Sequence, residues 1–174
     1  MTMIRRVLTL LAGLWLVSGV AWADAGDDEF EQKPWQEIEV QLPPFPQDGQ
    51  FQEFYVSATA SSRFYVDVPG ITVGSDGVVR YVLMAIAPSG VRNITFEGMR
   101  CQTRERRIYA SGRSDGTWSR ARSERWLPVR EATSNRQHAA LFTDFFCPDG
   151  VLNYAVEDIR RALKKQGQPL GGRP

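Results

Sequence analysis

From Phe51 onward, apolar positions alternate with polar ones in short runs separated by turn residues, the period-two pattern of half-buried strands. Runs at 51–58 and 63–68 come first, the second stopped by Pro69-Gly70, and Gly74 to Gly77 read as a turn. Stretch 78–87 is long and apolar enough for a central strand, Pro88-Ser89-Gly90 ends it, and 91–103 alternates again. Segments 104–114 and 117–126 flank Asp115-Gly116, the strongest short-range hairpin signal in the chain. After Pro128 the period lengthens. Residues 135–146 read as a helix with Ala139, Leu141, Phe142, Phe145 and Phe146 among its apolar members, stopped by Pro148. A second helix is expected over 151–165, where Leu152, Val156, Ile159 and Leu163 share one face. Asp149 or Gly150 would cap its start, and Lys164 and Lys165 suit the negative end of its dipole. The expected class is α+β: an antiparallel β-meander of five to seven strands, two C-terminal helices packed on one face, and an extended N-terminal arm.

The remaining segments break these periods. Residues 24–50 are acidic and then proline-rich, with Pro34, Pro43, Pro44 and Pro46, and are expected to be an extended arm. Trp35, Ile38, Val40, Leu42 and Phe45 give that arm apolar surface to bury on the domain. Residues 1–23 read as an export signal: Arg5 and Arg6 precede an uncharged stretch, and Ala21, Trp22 and Ala23 offer a cleavage site before Asp24. A membrane anchor is the rival reading, because the uncharged run approaches the lower limit of about 17 residues for a span. The apolar stretch does not end in a cysteine, which argues against a lipid anchor, and no stable span is expected once the signal is removed. Residues 51–165 would be a single globular domain and 166–174 a disordered tail.

Charge changes the picture through its distribution. The whole chain carries a formal +1, and loss of the signal takes the mature protein to about −1, a balance that selects no partner. From Asp24 to Asp76, however, eleven acids stand against Lys33 and Arg63, whereas from Arg80 to Arg136 twelve arginines stand against five acids. Two explanations compete: an acidic segment packed against a basic sheet, or an anion-binding face on the second half. The two cysteines, Cys101 and Cys147, are expected to pair as a structural disulfide in an exported protein. Without a C-x-x-C, and with His138 as the sole histidine, no metal site is expected.

Paired in a two-residue register about Asp115-Gly116, the hairpin sets Arg113 opposite Trp118, Tyr109 opposite Arg122 and Arg107 opposite Glu124. Arg107, Tyr109, Arg113, Trp118, Arg120 and Arg122 then form a candidate binding strip, a platform for an anionic or planar ligand. The bland alternative is a solvated face ordered by guanidinium–ring contacts. One difficulty is internal to this reading: Cys101 has the parity of Arg107 and Tyr109, yet a cysteine tethering a helix should face the core. A bulge or break between Thr103 and Arg107 is required.

Enzyme signatures are sparse. There is no G-x-S-x-G, P-loop, G-x-G-x-x-G or H-E-x-x-H, and no cofactor or catalytic residue is assigned. His138 is expected at the surface or at a cap; Glu157 and Asp158 read as solvated helix face, and Asp67, Asp144 and Asp149 are the acids left for general acid–base work. The runs Phe96-Glu97-Gly98-Met99-Arg100-Cys101, Arg107-Ile108-Tyr109-Ala110, Asp115-Gly116-Thr117-Trp118 and Phe145-Phe146-Cys147-Pro148 together resemble the CNP1-like family, the cryptic neisserial protein family of proteobacterial envelope proteins. The resemblance spans about Trp35 to Lys165. It implies a periplasmic or lipoprotein-like setting and carries over no activity, cofactor or catalytic residue. The expectation is therefore a periplasmic, non-catalytic binding or structural module whose partner is an envelope protein or an anionic envelope component. A metal-independent hydrolase and an anion- or nucleic-acid-binding module are the alternatives, the nucleic acid disfavoured because the mature chain is slightly acidic and carries no nucleic-acid-binding motif.

Overall fold

Apolar side chains occupy both faces of the central strands, so the sheet needs cover on both sides. In Val78–Ile86 (β4), Val79, Tyr81 and Leu83 belong to one buried cluster while Val82 and Met84 belong to another. The computed structural model describes residues 34–130, 136–152 and 155–166, and shows how that cover is supplied. The expected signal segment, the start of the arm at 24–33 and the tail from 167 lie outside the described residues.

The strands are Phe51–Phe54 (β1), Arg63–Asp67 (β2), Thr72–Val73 (β3), β4, Arg92–Arg100 (β5), Glu105–Gly112 (β6), Trp118–Arg120 (β7) and Leu127–Pro128 (β8). They form one antiparallel sheet in the order β1-β2-β4-β5-β6-β7, with β3 paired to β4 and β8 to β6. The meander is thus as expected, with a six-strand path and two short additions. The helices are Arg136–Ala140 (α1), which widens directly into a π-helical stretch over Leu141–Phe146, and Val156–Gln166 (α2). The wider turn, closed by the Cys147 N–H donating to Phe142 O at 2.8 Å, buries Leu141, Phe142, Phe145 and Phe146 together. In α2 the anticipated stripe is the buried one, with Ile159 and Leu163 fully enclosed. The helix starts later than its periodicity suggests: Asp149 and Gly150 form a separate turn with φ of 57° and 77° and do not cap it.

The helices cover one face, packing on Phe54, Val66, Tyr81, Leu83 and Met99. The arm covers the other: Val40, Leu42 and Phe45 lie over Val82, Met84, Ile94 and Phe96. Cys101 and Cys147 form a disulfide with Cα atoms 5.4 Å apart, joining the end of β5 to the end of the π-helical stretch. The parity difficulty disappears at the β5–β6 turn. Arg100 pairs with Glu105 across four turn residues, so from Glu97 to Arg100 odd positions in β5 share a face with even positions in β6, and a register shift between Phe96 and Glu97 then brings Tyr109 and Ala110 to the same face as Phe96. Cys101 therefore faces the helices while Arg107 faces the arm.

The Asp115-Gly116 hairpin forms, but in another register. Arg113 N–H donates to Thr117 O at 2.8 Å, and Gly116 takes a left-handed φ of 78°, which makes a three-residue loop. Trp118 pairs with Gly112, Ser119 with Ser111 and Arg120 with Ala110. The expected opposition of Arg113 to Trp118 is corrected: the one-residue slip sets Trp118 and Arg120 on the face of Ala110 and Tyr109 and leaves Arg113 on the other, beside Ser119.

Candidate functional site

Two polar assemblies sit on opposite faces of the sheet. On the helix side Glu97, fully buried in β5, accepts from Thr95 Oγ1 at 2.7 Å and from Tyr81 Oη at 3.0 Å, and meets His138 Nε2 at 2.8 Å. The expectation of a surface histidine is overturned: His138 is 4% exposed and joins α1 to the sheet. Burial alone would push the Glu97 carboxyl up, but the charge and hydrogen bond of His138, the Thr95 hydroxyl and the charge of Arg106 pull it below the ordinary glutamate value. Burial, then the charge and hydrogen bond of Glu97, holds the Tyr81 hydroxyl well above the tyrosine range. Among the described residues His138 Nδ1 has no hydrogen-bond partner.

Asp67 is buried at the end of β2, where burial raises its carboxyl against the Gly70 N–H and the charge of Arg160. Arg160 binds the carbonyls of Val68, Pro69 and Ile71, and also pairs with Glu157; Asp158 pairs with Arg161. Asp149 is exposed in its turn and Asp144 is half-buried on the π-helical stretch. Among the described residues no cluster of His, Cys, Asp and Glu could hold a metal ion, and no helix is long and apolar enough to cross a membrane.

On the arm side, Glu37 reaches into the sheet. Arg107 Nη1 donates to its carboxylate at 2.6 Å, Arg80 Nη2 at 3.5 Å, and the Tyr109 hydroxyl donates through a short hydrogen bond. Burial first, and the Glu37 carboxylate second, raise the Tyr109 hydroxyl far above its usual value. Tyr109 can lie flat because Gly98 is beneath it; a β-carbon there would run into its ring and hydroxyl. Asp76 secures the same region, pairing with Arg80 at 2.6 Å and accepting from the Ile38 N–H at 3.1 Å. Burial opposes its ionisation, but Arg80 and the N–H groups of Ile38 and Val78 keep its carboxyl below the usual range. At the arm's start the Trp35 ring lies 3.6 Å from the Arg100 guanidinium; further on, Trp118 Nε1 donates to Pro43 O at 2.8 Å and stacks near Phe45.

Of the six candidate residues, Arg107, Tyr109 and Trp118 are therefore engaged by the arm, and Arg120 stands beside them. Arg113 donates to Ser119 Oγ at 3.3 Å and is not part of this group. Arg122 is exposed beyond β7. The charge asymmetry is used for internal packing, with Glu37 on Arg80 and Arg107 and Asp48 on Arg92. Among the described residues Arg120, Arg122, Arg125 and Arg130 remain exposed and form no ion pair.

Pattern reading did not anticipate a break in the sheet edge. The Ala121 N–H still donates to Tyr109 O at 2.8 Å, but residues 122–126 then leave the sheet until Leu127 pairs with Arg106. Trp126 accounts for the departure: its ring sits edge-on to Trp35 at 6.0 Å, on the same Arg100 guanidinium. Arg107 and Ile108 consequently have β5 on one side and no strand partner on the other. The space so opened is a cleft of about 420 Å³, walled by the arm at Glu37 to Val40 and by Arg120, Ala121, Ser123 and Glu124.

Fold and site define a small, disulfide-closed α+β domain whose antiparallel sheet is held between its own helices and its own N-terminal arm, with a cleft where arm and sheet edge part. The chain belongs to the CNP1-like family, whose model matches residues 30–164. Searches of curated proteins and of solved structures found no match.

Proposed function

We propose that this is an exported, non-catalytic binding module of the cell envelope, and that its ligand site is the cleft between the arm and β6–β7. One observation carries the reading: the sheet edge is interrupted at Arg107 and Ile108, beside a cleft within the size range of small-ligand sites. His138 and Glu97, the pair best suited to acid–base chemistry, lie elsewhere and are committed to each other in the core. Export is supported by the cationic and apolar start of the chain and by the cystine.

Capture from envelope extracts tests this, using a photo-crosslinking residue in place of Ser123. Ala121→Trp, which fills the cleft, should abolish capture while leaving the melting temperature within a few degrees. Undiminished capture by that variant places binding elsewhere. A second reading, docking of an acidic envelope component on exposed Arg120, Arg122 and Arg125, predicts salt-sensitive capture that Ala121→Trp leaves intact and Arg122→Ala with Arg125→Ala weakens.

A further inference from the structure

Resting on the cleft as the ligand site, the geometry points to a short peptide with free ends as the ligand it takes. The strand edge supplies the first reason. Between the Tyr109–Ala121 hydrogen bond and the Arg106–Leu127 pair, β6 has no strand neighbour among the described residues on that side, and an extended backbone is the chemical group that complements an unpaired strand edge. At about 420 Å³ the cleft has room for a few small residues, between the arm on one side and Ser123 and Glu124 on the other.

Charge supplies the second reason. Glu37 and Arg107 already neutralise each other at 2.6 Å, which leaves Arg120 on one wall and Glu39 and Glu124 on the others. Among the described residues Arg120 and Glu39 form no ion pair, and Glu124 reaches Arg107 only at 3.8 Å. A simple anion would meet Arg120 and be opposed by two carboxylates, whereas a zwitterion satisfies both signs. Ile38, Val40 and Ala121 add apolar wall for small side chains. The free carboxylate is met by Arg120 and the free ammonium by Glu39 and Glu124.

The test is an amide-shift titration of the ¹⁵N-labelled protein with trialanine, N-acetyl-trialanine and trialanine amide at low salt. Trialanine should shift the amides of Arg107, Ile108, Ala121 and Ser123 saturably, and capping either end should weaken it about tenfold, the worth of one charged hydrogen bond. Arg120→Ala, an exposed substitution, should weaken trialanine by the same factor and leave the amide unaffected, because the partner of Arg120 is already gone. Equal binding of all three peptides, shifts elsewhere in the protein, or no shifts overturn the inference. Tighter binding of the acetylated peptide than of trialanine overturns it in favour of an anion. Should Ala121→Trp abolish envelope capture while trialanine leaves the spectrum unchanged, the cleft remains the site and only the peptide assignment fails.

Discussion

Glu97 shows how a carboxylate can be held in the core when its partners offset the cost of burial. Three hydrogen bonds meet its carboxylate, and their sum outweighs the burial that would otherwise neutralise it. Its carboxyl is depressed in the fold, so its contribution is complete above its ordinary value near 4.5 and drains away as pH falls through the lower folded value. Glu97→Gln should therefore cost about 1–3 kcal/mol at neutral pH and flatten the acid limb of stability. Urea unfolding between pH 3 and 7 measures both, and an unchanged acid limb would contradict this account of Glu97. Neither the burial of His138 nor its partner was legible in the sequence. Its nearest carboxylate in the chain was Asp144, while the one it meets is 41 residues away across the sheet.

At the scale of elements, the hairpin and the arm decide what the sheet presents. Gly116 holds φ at 78°, which a side chain tolerates poorly, so Gly116→Ala should destabilise by about 1 kcal/mol while Gly116→Asn is milder. Thermal melts of the two variants separate these outcomes; equal melting temperatures would argue against the left-handed loop. Glu37 is the arm's main polar anchor, meeting Arg107, Arg80 and Tyr109 together. Glu37→Gln loses the ion pair with Arg107 and should cost about 1–3 kcal/mol, with Trp35 and Trp118 emission shifting to the red as the arm lifts. Hydrogen exchange at Ile38, whose N–H is bound by Asp76, should accelerate in the same variant.

For the molecule as a whole, the disulfide ties the sheet to the helix layer around a loop of 46 residues. In the chain-entropy account, opening it should cost about 4 kcal/mol. Paired Cys101→Ala and Cys147→Ala substitutions, compared with the oxidised protein by urea unfolding, should show a loss of this order. A loss below about 1 kcal/mol would mean that the packing of Phe145, Phe146 and Ile159 holds the layers together unaided. The helix layer and the arm load opposite faces of one sheet, so this loss and that of Glu37→Gln should add when combined.

The sequence by itself determined the elements. Alternation at 63–68, the long apolar run at 78–87, turn residues at Pro69-Gly70 and Pro88-Ser89-Gly90, and the stripe through Val156, Ile159 and Leu163 are local signals, and local sterics and periodicity suffice to read them. It also marked the cysteine pair and the arm's apolar residues. Only the tertiary structure decided which face each polar group serves. A one-residue difference in a hairpin loop and a four-residue turn between β5 and β6 reassign side chains to opposite faces, and composition cannot express that parity. The cleft has the same origin. It exists because Trp126 leaves the sheet for Arg100 and Trp35, residues remote in sequence, and uncovers the edge of β6 as it goes.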